Sequence, residues 1–391
     1  MRSVTERLYH RDPAQLTFDA EVLAHGELEG RPTVVLARTA FYPEAGGQMA
    51  DRGVLAGLSV LDVQADAEGR VHHALDGLLP KVGEVVAGSV DGARRRAFMA
   101  LHTGQHIFSR ALVDSAKAET VSSRLGETSC TVDVDRTALS DAALARALEL
   151  THAVIDDDLP VRAWFPDAAE LASLPLRRKA KVDAHVRVVA VGDFDFSPCG
   201  GTHCTRSGQV GLVEVFAVER YKGMLRITFD AGPRARATVV GDSRTLRALG
   251  TSLSCGPGDV PTAVERVRSE VKDARTAMKA LGDRAAEGIA RELGEGTVAA
   301  RLDAGDRELL RAVATRLCAV PDAVVALAVA EADGLAVLVA RGGAASIDCG
   351  AVLRRLAMRT GGKGGGRADR AEGKVPLDVD FVAIASEELG R

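Results

Sequence analysis

The sequence predicts an α+β protein in four parts: a β-barrel-like N-terminal domain (residues 1–92), a second α+β domain (93–240), a helical linker (241–296) and a small α/β domain (297–391). Three observations carry this. The first ninety residues are rich in strand formers broken by Gly and Asp. After "DGARRRAFMA" the apolar spacing becomes that of a helix. A charged, alanine-rich stretch from residue 261 then separates this part from two apolar runs near the C-terminus. A chain of 391 residues also exceeds one ordinary compact core, which agrees with several domains.

Within the first part, "TVVLARTAFYP" and "GVLAGLSVLDVQAD" read as short strands between turns. In "RRRAFMALHTGQHIFSRALVDSA", Phe98, Leu101, Ile107, Phe108, Ala111 and Leu112 recur at near-helical spacing. A second helix is expected in "SDAALARALELTHAVIDDD", with Ser140 and Asp141 placed to cap its first amides. Strands return in "HVRVVAVGD", "GQVGLVEVFAVE" and "MLRITFDAG". Residues 261–293 read as one long exposed helix whose heptads are too ragged to assign a coiled coil. Two apolar runs around Asp333-Gly334, a helical stretch and "DVDFVAIAS" complete the last domain.

Hydrophobic residues make up 46% and charged residues 27%, a globular composition without an apolar run of the ~18 residues that cross a bilayer. No membrane partner is expected. The N-terminus lacks the pattern of an export signal, so a cytoplasmic location is expected. In that reducing setting the six cysteines read as thiols or ligands rather than a disulfide framework. A net charge of −4 argues against general coating of polyanions, and clusters such as "GARRRAF" and "LRRKAKVDAH" read as solvated basic faces or local patches.

The chemistry gathers in two places. "LHTGQHIF" sets His102 and His106 four apart on one helix face, where both imidazoles can reach one ion. About a hundred residues later "CGGTHC" offers Cys199 and His203, with Gly200-Gly201 allowing a tight turn that lets both side chains converge. A thiolate with imidazoles is a borderline-soft set that favours Zn²⁺, one ion per chain. Cys204 reads as a small buried thiol beside the site. Four protein ligands would look structural, because catalytic zinc normally keeps a position for water. The helix pair is not HExxH, which removes the peptidase reading.

Four segments, "FYPEAGGQMADRG", "LHTGQHIFSRAL", "SSRLGETSCTVDVD" and "CGGTHC", together resemble the alanyl-tRNA editing proteins, the free-standing relatives of the editing domain of alanyl-tRNA synthetase. They occur in the family's order over residues 1–235. "GGKGGGRADRAEGK" resembles the glycine-rich motif of the DHHA1 domain that ends the long, AlaX-type editing proteins and the synthetase. The resemblance implies a zinc-dependent editing domain followed by a DHHA1-like tail. It further implies a hydrolase acting in trans on mischarged alanine tRNA, chiefly seryl-tRNA(Ala), with His102, His106, Cys199 and His203 as zinc ligands and tRNA as partner.

The ester of an aminoacyl-tRNA is already activated, so positioning, a water and oxyanion stabilisation suffice for hydrolysis. Zinc would either activate the water or grip the substrate. A pocket that bonds the serine hydroxyl disfavours alanine, which leaves those polar groups unpaired. Ser122, Ser123 and Thr131 are candidates for that contact. Gly46 and Gly47 permit close backbone approach, and Gln48 can donate and accept. Lys363 and Arg367 are candidates to meet RNA phosphates; Ala368 and Lys374 depart from the family's usual residues there. A homodimer through the long helix is a further expectation. Two rival readings are editing of another mischarged tRNA, as in the threonyl-tRNA synthetase editing domain, and a non-catalytic zinc-stabilised RNA-binding module. A DHH-type phosphoesterase fails because no DHH motif occurs.

Overall fold

The computed structural model describes residues 4–179 and 185–390. The chain forms two compact units, Met1–Leu246 and Arg247–Arg391. In the first unit six strands close into a barrel in the order Thr17–Leu28, Arg31–Leu36, Val71–Leu75, Leu58–Ala65, Gly53–Leu55 and Val85–Val90. Two hairpins of the barrel turn on two residues each, Glu29-Gly30 and Ala56-Gly57, all four at positive φ. That is the backbone sense which matches strand twist. Phe18, Val22, Val34, Leu36, Phe41, Leu55 and Val63 fill the interior.

Asp91 ends the barrel and caps the helix Gly92–Ala116, accepting from the amides of Ala93 and Arg94. The expected basic face of "GARRRAF" is not wholly solvated: Arg95 is fully buried. Its guanidinium pairs with Asp51 and donates from Nη1 to Pro13 O at 2.8 Å and from Nη2 to Ala40 O at 2.5 Å. A residue that periodicity assigns to the surface thus fastens the helix to the barrel.

Behind this helix lies a four-stranded antiparallel sheet in the order Val213–Tyr221, Met224–Ala231, Cys130–Val134, Thr120–Leu125. Leu101, Ile107, Phe108 and Leu112 pack with Val132, Ile227 and Phe229. A Cβ at Gly104 would stand 2.9 Å from Ala231 Cβ, so the mid-helix glycine permits close helix-to-sheet contact. Ser140 Oγ accepts from Ala143 N at the start of the helix Asp141–Asp156, the expected cap. A three-stranded sheet, Val161–Trp164, Val188–Val191 and Asp195–Pro198, delivers the chain to Cys199. The helix Gly232–Ser252 runs across residue 240, the border expected between the second domain and the linker.

In the second unit the long helix Val260–Leu293 is mostly exposed, with Val264, Val267, Val271, Met278 and Leu281 on its surface. A five-stranded sheet follows in the order Thr297–Leu302, Val324–Glu331, Gly334–Arg341, Arg370–Val375, Lys363–Gly366; its first pair is parallel and the rest antiparallel. Apolar cores cover both faces, which is why the two middle strands read as unbroken apolar runs. "DVDFVAIAS" ends in the helix Phe381–Glu388, capped by Asp380.

Candidate metal centre

His102, His106, Cys199 and His203 converge, their ligand atoms all within 4.8 Å of one another. Cys199 Sγ lies 3.3 Å from His102 Nε2 and 3.3 Å from His203 Nε2. Bonds of ~2.3 Å to sulfur and ~2.05 Å to nitrogen around a tetrahedral ion would set that edge at ~3.6 Å, so the spacing fits a metal ion closely.

Each imidazole is turned by a neighbour at its other nitrogen. His102 Nδ1 donates to Gln48 Oε1 at 2.8 Å. Thr103 Oγ1 lies 3.2 Å from His203 Nδ1 and accepts from Cys204 N at 3.0 Å. His106 Nδ1 faces Asp195 Oδ2 at 3.3 Å, an ion-pair distance without hydrogen-bond alignment. Asp195 is in turn held by Arg177 Nε at 2.7 Å and by Ser197 Oγ at 2.9 Å. Outer partners of this kind fix the tautomer that leaves Nε2 free to ligate.

The electrostatics suit a cation. Burial alone would push the Cys199 thiol up, but His102 and His203 beside it bring it well below the usual range. Burial and His102 lower His203 to about 3, so it stays neutral. Burial opposes charge on His106, yet Asp195 and Cys199 hold its pKa above the ordinary value. Asp195, despite burial, is held at about 2 by His106 and Arg177.

Gly200 and Gly201 are not equivalent. A Cβ at Gly201 would stand 2.2 Å from His102 Cε1 and 3.0 Å from Gln48 Oε1, whereas one at Gly200 meets nothing within 4 Å. The second glycine is therefore required by close packing against the ligand, and the first is not.

His102 and Cys199 form part of the wall of an open cleft of about 590 Å³, together with Gly46, Gly47, Ser122 and Ser123. Gly47 has φ +86°, and a Cβ there would meet Ser123 O at 2.4 Å, so its close backbone approach is to a neighbouring strand. Ser122 Oγ donates to Asp133 Oδ2 at 2.7 Å, while Arg226 grips the same carboxylate. Gln48 is fully buried, its Nε2 donating to Thr202 Oγ1 at 2.8 Å and its Oε1 receiving His102 and Thr202 N, so it stands behind the ligand. Thr131 pairs with Arg124 and Thr228 within the sheet and is not part of the cleft wall. Cys204 is buried, as expected, and burial raises its thiol to about 11.

Lys363 begins the edge strand Lys363–Gly366 in the second unit, and Arg367 follows it with a contact to Asp369 at 3.2 Å. The glycine run has a packing cause. A Cβ at Gly364 would stand 2.8 Å from Gly373 Cα, and one at Gly366 2.4 Å from Ala371 Cα.

Sequence reasoning missed Thr103, Asp195, Arg177 and Arg187. Asp195 had a faint signal, a carboxylate four residues before Cys199; Arg177 lies in the basic cluster "LRRKAKVDAH", of which residues 180–184 fall outside the described residues, and there it pairs with Asp195 instead of facing solvent; Thr103 and Arg187 had none.

Two family models match the chain: the threonyl and alanyl tRNA synthetase second additional domain over residues 186–228, and the DHHA1 domain over residues 294–388. The class thus defined joins a synthetase accessory domain to a DHHA1 domain. The alanyl-tRNA editing protein AlaX-L of Pyrococcus horikoshii is 32% identical over 276 residues, 69% of this chain and 68% of that protein. This chain belongs to the alanyl-tRNA editing protein family. The alanine-tRNA ligase of Halorubrum lacusprofundi is 35% identical over 407 residues, covering 97% of this chain and 42% of the ligase. That of Halobacterium salinarum is 33% identical over 416 residues, covering 99% and 44%. The chain spans less than half the length of these ligases. The C-Ala domain from Aquifex aeolicus alanyl-tRNA synthetase shares 23% identity over 24% of this chain and 86% of its own, with a TM-score of 0.22.

Proposed function

We propose that this protein is a trans-editing deacylase that hydrolyses the ester joining a wrong amino acid, chiefly serine, to alanine tRNA, with one Zn²⁺ per chain on His102, His106, Cys199 and His203. The observation that carries the reading is the meeting of two metal-ligand pairs, about a hundred residues apart in sequence, on a cleft that also contains Ser122, Ser123 and the Gly46-Gly47 loop. Membership of the alanyl-tRNA editing family supports the substrate class.

When bound, zinc supplies a Lewis acid that can polarise a carbonyl or orient a water. The chain's own residues do the rest. Gln48, Thr103 and Asp195 hold the imidazoles in one orientation. Ser123 on the cleft wall is our choice for contact with the serine hydroxyl, since the Ser122 hydroxyl is already given to Asp133. A buried polar contact of this kind rejects alanine by leaving a group unpaired.

The four-part division at 92, 240 and 296, a cytoplasmic location, RNA contact by Lys363 and Arg367, and tRNA as partner all belong to this reading. A homodimer is supported by the exposed apolar residues Val264, Val267, Val271, Met278 and Leu281, which recur at helical spacing along one long helix. No helix of the described residues is long and apolar enough to cross a membrane.

The test is hydrolysis of seryl-tRNA(Ala) against alanyl-tRNA(Ala) by the purified chain and by a Cys199→Ala, His203→Ala variant whose fold is checked by circular dichroism. Loss of serine alone, abolished in the folded variant, supports editing. The second reading is a zinc-stabilised RNA-binding module, favoured by the four-protein-ligand set usual in structural sites. It predicts tRNA binding with neither ester cleaved.

A further inference from the structure

Four cations, Arg7, Arg178, Lys179 and Arg187, line the cleft beside the His/Cys cluster, and among the described residues no carboxylate does. In a chain of formal net charge −4 this is a local reversal of sign. Arg187 is the most constrained of the four. It is 6% exposed, and among the described residues it has no carboxylate partner, whereas the buried Arg95 faces Asp51 and Arg177 faces Asp195.

Its Nη1 donates to Cys199 O at 3.0 Å and Gly201 O at 2.8 Å. Its Nε is buried without an acceptor, and among the described residues Nη2 makes no hydrogen bond. A guanidinium in this setting is costly unless an anion completes its shell.

We propose that the cleft contains a phosphate subsite in which Arg187, with Arg7, takes the phosphate of the substrate's terminal nucleotide. The proposal rests on the reading of the cleft as an aminoacyl-RNA site and names the group that is gripped there. A planar guanidinium matches a phosphate with two parallel donors. Four cations along one wall fit the successive charges of a nucleic-acid strand better than a single carboxylate would. Because Arg187 also holds the carbonyls of Cys199 and Gly201, phosphate capture and the metal-bearing turn share one side chain.

The test compares adenosine 5′-monophosphate with adenosine by calorimetry on the full chain. The nucleotide is expected to bind about tenfold more tightly or better, the worth of a charge-assisted contact. Arg187→Gln should bring the ratio near one while adenosine binding persists, and Arg7→Gln should reduce it. Metal content and circular dichroism are followed, since Arg187→Gln also releases the turn. Should that variant lose metal, Arg7→Gln, which touches neither carbonyl, decides: an unchanged ratio overturns the proposal. Equal affinities in the unsubstituted chain overturn it outright. Deacylation assayed in parallel separates the two failures. A phosphate preference without ester cleavage sinks the functional reading alone, and cleavage without the preference sinks the subsite alone.

Discussion

Gln48 Oε1 lies 2.8 Å from His102 Nδ1, across 54 residues of sequence, so a loop of the barrel-bearing segment orients a ligand on the central helix. The glutamine is fully buried and also bonds Thr202 in the second ligand loop. Replacing it by leucine removes the acceptor that fixes the His102 tautomer. Metal affinity should fall about 10–100-fold, the usual cost of losing an outer partner, with the fold retained. Competition with a chromophoric chelator measures this; an unchanged affinity would show that His102 needs no such support.

The glycine pair allows a sharper contrast. Gly201→Ala drives a methyl into His102 and should abolish stoichiometric metal binding, while Gly200→Ala, which meets open space, should leave it intact. Metal content after gel filtration reads both. Equal behaviour of the two variants would contradict the packing argument.

Asp51 and Arg95 form a buried pair, both 1% exposed in their side chains. Asp51→Ala strands the guanidinium and should cost roughly 3–5 kcal/mol in urea unfolding of the full chain. Asp51→Asn, which keeps an acceptor, should cost less.

His73 supplies a pH dependence away from the metal. It is fully buried and neutral, donating from Nδ1 to Val34 O and accepting at Nε2 from Thr39 Oγ1; burial lowers its pKa to about 4. The unfolded chain binds this proton near pH 6.5, the folded chain only near 4. Stability attributable to His73 is therefore present above pH 6.5 and is lost as pH falls towards 4, by on the order of 3 kcal/mol. His73→Gln should flatten the stability profile across that window; a slope identical to that of the parent would refute the assignment.

The local patterns were legible for clear reasons. The period of Phe98, Leu101, Ile107, Phe108 and Leu112 was readable as a helix because one stripe packs on a sheet, and Ser140 was readable as a cap because capping acts over three residues. His102 and His106 could be paired from spacing alone, since helix geometry puts residues four apart on one face. By residue type Gln48 and Thr131 are both candidates for contact with substrate. In the fold one stands behind a ligand and the other sits within the sheet outside the cleft wall, because register and long-range packing decide which side of a strand or loop faces a cavity.

By itself the sequence determined the types of most elements, the four members of the His/Cys cluster and the order of the motifs, all of which depend on residue type and short spacing. Only the tertiary structure decided that Arg95 is buried, that Asp195 backs His106, that Gly201 rather than Gly200 is sterically required, and that Arg187 has no carboxylate partner among the described residues. These are contacts between segments distant in the chain, and the free energy of burying a polar or charged group depends on neighbours that no local window contains.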